Sequence, residues 1–243
     1  MMFFGDYFIF LIAIVACLIF SLIASSKVKN AFNKYNKKIC RSGLTGRETA
    51  EWLLRANGVY DIGIGKTGGT LTDHYHPTKK IVNLSDSTYA SNSVAAVAVA
   101  AHEIGHVMQK KDSYWLYNLR TAVVPVANIG SFLAFPLVLL GLILDYVIAV
   151  TEPGTGFFVA MIGVVLYGAS FLFALVTLPV ELDASRRAKE MLIAARIVKE
   201  DELPAAKEVL SAAALTYLAS LLTSLVYFLR FLFYVLTLFG RRD

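Results

Sequence analysis

Four stretches of this chain are too apolar to be left in water. Residues 7–26, YFIFLIAIVACLIFSLIASS, carry no charge, and a helix of that length crosses a hydrocarbon core of about 30 Å. Residues 121–144 and 157–180 repeat the pattern, each about 24 residues or about 36 Å as helix. Residues 209–239 are apolar apart from Arg230. In lipid every backbone polar group needs an internal partner, so such segments are restricted to helices.

Basic residues orient these segments. Lys27, Lys29, Lys34, Lys37, Lys38 and Arg41 follow the first run, and no basic region precedes it. That argues against a cleaved signal peptide and for a retained anchor with its N-terminus outside and residue 27 onward in the cytosol. Between the second and third runs, DYVIAVTEPGTG contains Asp145 and Glu152 and no basic residue. Lys110, Lys111 and Arg120 flank the pair on one side, with Arg186, Arg187 and Lys189 on the other. The asymmetry predicts a helical hairpin with its short loop outside and both ends inside. Pro125, Asn128 and Pro136 are tolerable in a span whose neighbours satisfy the freed backbone. Residues 209–239 can cross, dip into the membrane or lie along it; a fourth crossing is favoured, with Arg241 and Arg242 at the far end weighing mildly against it.

Composition agrees: 57% of residues are hydrophobic and 17% charged, which excludes an ordinary soluble domain. The formal charge of +5 is explained by the flanking basic residues, and no aromatic-and-basic pattern suggests nucleic acid. Cys17 lies in an apolar run and no C-x-x-C joins it to Cys40, so neither a disulfide framework nor a cysteine metal site is expected.

Residues 27–120 are more polar. GRETAEWLLRANGV (46–59) predicts an amphipathic helix ended by Asn57-Gly58. Gly65-Lys66-Thr67 matches the end of a phosphate-binding loop, but Tyr60 occupies the position that needs glycine, so that motif is not expected. The segment reads instead as a loop and a β hairpin, with strands near 69–75 and 80–85 around His76-Pro77. From about Ser91, SNSVAAVAVAAHEIGHVMQKK predicts one helix. Ser91 and Ser93 are candidate N-caps, and Lys110 and Lys111 suit its C-terminal dipole. Its uncharged part is too short to span, so it is expected as a buried core helix.

This helix carries the chemistry. His102 and His106 are four apart and share a face, so their imidazoles can meet one ion. Glu103 is rotated about 100° away and can reach a water without filling a coordination position. Two nitrogens and a carboxylate suit one Zn2+, with the fourth position left for water. A carboxylate beside that water suits metal-assisted hydrolysis of a peptide bond, with Glu103 as general base. The chain has four histidines, two of them here. Gly105 weakens the helix relative to alanine and is explicable if another segment approaches closely.

The third ligand must come from elsewhere. His74, His76, Glu48 and Glu51 lie upstream. Glu181 is the favoured choice: it directly follows an apolar run and is expected to open a new helix after Pro179. A carboxylate at the end of a span is a functional candidate. Asp183 and Ser185 are candidates to hydrogen-bond a liganding group.

Three ordered blocks, TLTDHYHP, SVAAVAVAAHEIGHVMQ and LPVELDASRRA, resemble the YugP-type family of membrane-bound neutral zinc metallopeptidases. That family is similar to the HtpX-like membrane gluzincins, in which a glutamate in an E-x-x-A-D-like stretch on a later helix completes the zinc site. The resemblance implies that Glu181 is that glutamate and Ala184 the alanine. Ser185 stands where the aspartate would be, and Asp183 is displaced by two residues. It further implies a bacterial zinc peptidase of the plasma membrane.

The expected architecture is a mainly α membrane protein. About four transmembrane helices accompany a small cytosolic-facing, zincin-like catalytic region of helices and a short β hairpin. Residues 1–26 form the anchor, 27–120 the catalytic region, 121–180 the hairpin, 181–208 the helix with the third ligand, and 209–243 the last apolar segment. His74 and Tyr75 are low-ranked candidates to bind substrate or stabilise an oxyanion, against a hairpin with merely polar tips. The leading function is a zinc metalloendopeptidase acting on membrane or membrane-proximal proteins. The alternatives are an intramembrane zinc protease with Asp183 of the Leu182-Asp183 pair as ligand, or a non-catalytic zinc-stabilised scaffold.

Overall fold

The structure is a computed structural model that describes residues 2–145 and 154–239. Residues 146–153 of the expected acidic connection, Glu152 among them, and the terminal Arg241 and Arg242 fall outside these residues. Seven helices and three strands are described: α1 Met2–Tyr35, α2 Gly46–Ala56, β1 Gly63–Thr67, β2 His74–His76, β3 Ile81–Ser85, α3 Asp86–Tyr89, α4 Val94–Lys111, α5 Trp115–Ile143, α6 Thr155–Ala194 and α7 Leu203–Phe239. Four helices, α1, α5, α6 and α7, are long and apolar enough to cross a membrane.

The chain divides into two compact units. One comprises residues 1–21, 118–178 and 217–243. Within it Val138, Ala160, Val164 and Val235 form a small buried cluster. Many large side chains stay outward: Phe132 is 78% exposed and Val165 68%. Such a surface suits contact with lipid. The α5–α6 pair is tight because Gly130 faces the Leu166 carbonyl and Gly163 faces Ala134, the small-residue contact typical of helices in membranes.

The other unit comprises residues 22–117 and 179–216. Its core contains Leu53, Leu84, Ile104 and Leu192, all fully buried, and α4 runs through it. Thirteen residues of α4 are buried, including Glu103, His106 and Gln109. Ser93 is the N-cap, accepting the Ala96 N–H at 3.1 Å, and Lys110 and Lys111 occupy the last turn. Helix α2 begins with a capping box, in which Thr45 and Glu48 satisfy each other's main-chain N–H.

The three strands are ordered β1-β3-β2, with β3 parallel to β1 and antiparallel to β2. The expected β2–β3 hairpin is present, but its first strand is His74–His76 rather than 69–75. Leu71 has φ +58, and the Thr72 hydroxyl donates to the Gly68 carbonyl at 2.8 Å, so the preceding residues form a turn. Strand β1 was not expected. Its Gly65 lies against the Asn83 and Ile81 side chains, which a β-carbon would have to displace.

A second correction concerns Pro179. It was expected to precede a new helix, yet α6 is continuous from Thr155 to Ala194. A helix proline forfeits one main-chain hydrogen bond, and here the helix tolerates that loss. Glu181 thus lies inside a helix rather than at the start of one.

Candidate metal centre

Two elements bring the site together. Helix α4 supplies His102, Glu103, His106 and Gln109; α6 supplies Glu181, Asp183 and Ser185. They approach closely because Gly105 has no side chain. A β-carbon there would come within 2.5 Å of the Ala184 carbonyl oxygen. The glycine of HEIGH is therefore a contact point between the helices.

At this crossing His102 Nε2 lies 3.2 Å from Glu181 Oε2, and His106 Nε2 lies 3.4 Å from the same atom. The imidazoles stand nearly perpendicular, with centroids 4.8 Å apart. The three side chains form a group whose ligand atoms lie within 4.8 Å of one another. A tetrahedron with bonds of about 2.05 Å has an edge of about 3.3 Å, so the two nitrogen–oxygen separations match ligands around one zinc-sized ion.

The hydrogen bonds behind the imidazoles test this fit chemically. Gln109 is fully buried. Its amide nitrogen donates to the Val180 carbonyl at 2.7 Å and to Asp183 Oδ2 at 2.9 Å. Both partners are acceptors, which fixes the amide orientation. Gln109 Oε1 must then face His106 Nδ1, at 3.0 Å, and that nitrogen must carry a proton. His106 Nε2 then faces the Glu181 carboxylate at 3.4 Å, a place that calls for a proton or a metal cation. Burial disfavours a charged His106, but the Glu181 carboxylate outweighs it and the His106 pKa rises. The cluster attracts positive charge.

Asp183 is not part of the cluster. It accepts from Gln109 and, at 2.7 Å, from Arg187 Nε, while Arg187 also pairs with Asp112. The continuous path His106–Gln109–Asp183–Arg187–Asp112 orients the second imidazole. Ser185 Oγ lies 3.2 Å from His102 Nδ1, so it serves the first imidazole. Gln109 was missed in the sequence, although its position three residues after His106 puts it on the same helix face. Tyr117, also missed, is buried with its ring 6.2 Å from that of His106.

Glu103 is buried beside the imidazoles. Burial pushes its carboxyl above the usual range; His102 and His106 oppose this, and the charges of Glu181 and Asp73 add to it.

The TLTDHYHP block divides. Asp73 acts on Glu103 through its charge and accepts the Ser85 N–H at 2.8 Å. His74 is exposed, with Nδ1 2.9 Å from the Thr72 carbonyl and Nε2 3.1 Å from Asn83. Tyr75 is half-buried and lines a cavity of about 280 Å³ together with Val107 and Lys110. Neither His74 nor Tyr75 belongs to the three-residue group.

Comparisons with known proteins bear on the chain as a whole. A family model described as "Putative neutral zinc metallopeptidase" matches residues 9–236. The "Putative membrane protease YugP" of Bacillus subtilis (strain 168) is 41% identical over 223 residues, covering 92% of this chain and 95% of the relative. No solved structure matches the chain. A match over nearly the whole length, through both helices that carry the cluster, makes the chain a member of the neutral zinc metallopeptidase family.

Proposed function

We propose that the protein is a membrane-bound zinc endopeptidase that cleaves membrane or membrane-proximal proteins. His102, His106 and Glu181 hold one Zn2+, and Glu103 is the general base. The observation that carries this reading is the convergence of two imidazole nitrogens on one Glu181 oxygen, with Gln109 fixing the His106 tautomer.

A zinc ion at this position supplies Lewis acidity, acidifying water and polarising a carbonyl. The chain's residues do the rest. Glu103 takes a proton from the attacking water and delivers one to the leaving nitrogen as the peptide bond breaks. Its raised pKa suits both halves of that transfer. Ser185, Gln109 and Asp183 hold the imidazoles in orientation from behind.

The reading places the catalytic side at the cytosolic face of a bacterial plasma membrane. Basic residues flank the apolar runs on the side of the HEIGH helix, and Glu181 directly follows an apolar run in sequence. Metal analysis of purified protein tests the centre: one zinc per chain in the wild type, lost in Glu181→Ala. Full zinc in that variant would refute the ligand assignment. A cysteine placed at Lys110 should react with impermeant reagents from the cytosolic side; labelling only from outside overturns the orientation.

A further inference from the structure

Arg230 has no part in the chemistry above, yet it interrupts the most apolar segment of α7. Its guanidinium is surrounded by aromatic rings: 4.2 Å from the centroid of Tyr7, 5.1 Å from Phe10 and 5.7 Å from Tyr234. No carboxylate pairs with it among the described residues. Cation–π contacts offset part of the cost of a charge in this setting. Among the described residues they leave the planar fork of N–H donors without an anion.

Beside this cation lies a groove of about 490 Å³ between α1 and α7, walled by Ile9, Ala13, Leu229, Phe233 and Leu236. Its volume lies within the usual range for small-molecule sites. Arg230 is itself part of the lining, and the other lining residues are apolar. The complementary ligand is an amphiphile with an anionic head and an apolar tail, and a bilayer offers such molecules as neighbours. A guanidinium also matches the oxygens of a phosphate in a bidentate pair.

We propose that Arg230 and the α1–α7 groove form a binding site for an anionic phospholipid, with the phosphate on Arg230 and one acyl chain along the groove. This site is independent of the metal centre and does not rest on the proteolytic reading.

Native mass spectrometry of the detergent-purified full chain tests the proposal, with phosphatidylglycerol titrated against diacylglycerol of the same chains and against inorganic phosphate. The wild type should retain phosphatidylglycerol and discriminate against both controls, since neither has head and tail together. Arg230→Met should bind it about tenfold more weakly or worse. Ala13→Phe fills the groove while keeping Arg230 and should weaken it similarly. Both variants should keep the wild-type melting temperature in the same detergent, which separates loss of the site from loss of the fold. Equal retention by wild type and Arg230→Met overturns the proposal, as does diacylglycerol binding as tightly as phosphatidylglycerol. A single-span apolar peptide that binds wild type and Arg230→Met alike and displaces the lipid also overturns it, assigning the groove to a helix.

Discussion

Gly105 packs its bare α-carbon against the Ala184 carbonyl, and a β-carbon there would sit 2.5 Å from that oxygen. The obstacle is backbone, so no side-chain rotation relieves it. Gly105→Ala gains helix propensity of about 1 kcal/mol but forces α4 and α6 apart, and overpacking of this kind costs about 1–3 kcal/mol. The crossing also sets the distance from the imidazoles to Glu181. We predict a lower melting temperature and reduced zinc content together in Gly105→Ala. A variant with full zinc and unchanged melting would remove the contact from the design of the site.

Gln109 is the second point of control. Gln109→Leu keeps the volume but leaves the His106 N–H, the Val180 carbonyl and Asp183 without this partner. Partners of liganding imidazoles are typically worth about 10–100-fold in metal affinity, and each buried group left unsatisfied costs about 1–3 kcal/mol. Chelator competition should show weaker zinc in Gln109→Leu, and the zinc-free protein should also melt earlier. Unchanged affinity would mean that the His106 tautomer is set elsewhere.

Glu103 separates binding from catalysis. Its carboxylate lies beside the cluster but outside the converging trio. Glu103→Gln is close to isosteric and should keep one zinc per chain. Loss of a general base lowers turnover by about 10²–10⁴-fold. The check is paired: metal analysis and cleavage of a protein substrate on the same preparation. Retained proteolysis would refute the role, and lost zinc would move Glu103 into the ligand set.

These residues differ in how readily the sequence betrays them. The HEIGH pair is legible because helix geometry alone puts positions four apart on one face. Glu181 is legible because a carboxylate directly after an apolar run is costly without a purpose. Gln109 is not, since a neutral amide near a helix end reads as surface, and only the Val180 carbonyl and Asp183 around it reveal its work. The helix break expected at Pro179 rests on local propensity, which the continuous α6 overrides. Strand β1 was hidden for the opposite reason. Gly63 and Gly65 have weak strand propensity, and the β1–β3 pairing joins residues such as Gly63 and Ile81, far apart in sequence. The four long apolar helices follow from length and hydropathy, signals that need no tertiary information.

The capping box at α2 gives a pH signature separate from the metal centre. The Thr45 main-chain N–H and hydroxyl each lie 2.8 Å from Glu48 Oε2. They hold the Glu48 carboxyl below its ordinary range. A pKa depressed by folding stabilises the protein above the unfolded value, and that stabilisation is lost as pH falls through the folded value. Wild type should therefore exceed Glu48→Gln in melting temperature at neutral pH, and the gap should close on acidification below about pH 4. Thr45→Ala removes the other half of the box and should cost about 1 kcal/mol at neutral pH. Melting curves of the three proteins in one detergent across that range provide the check. A gap between wild type and Glu48→Gln that is constant with pH would show that the capping carboxylate contributes by shape rather than by charge.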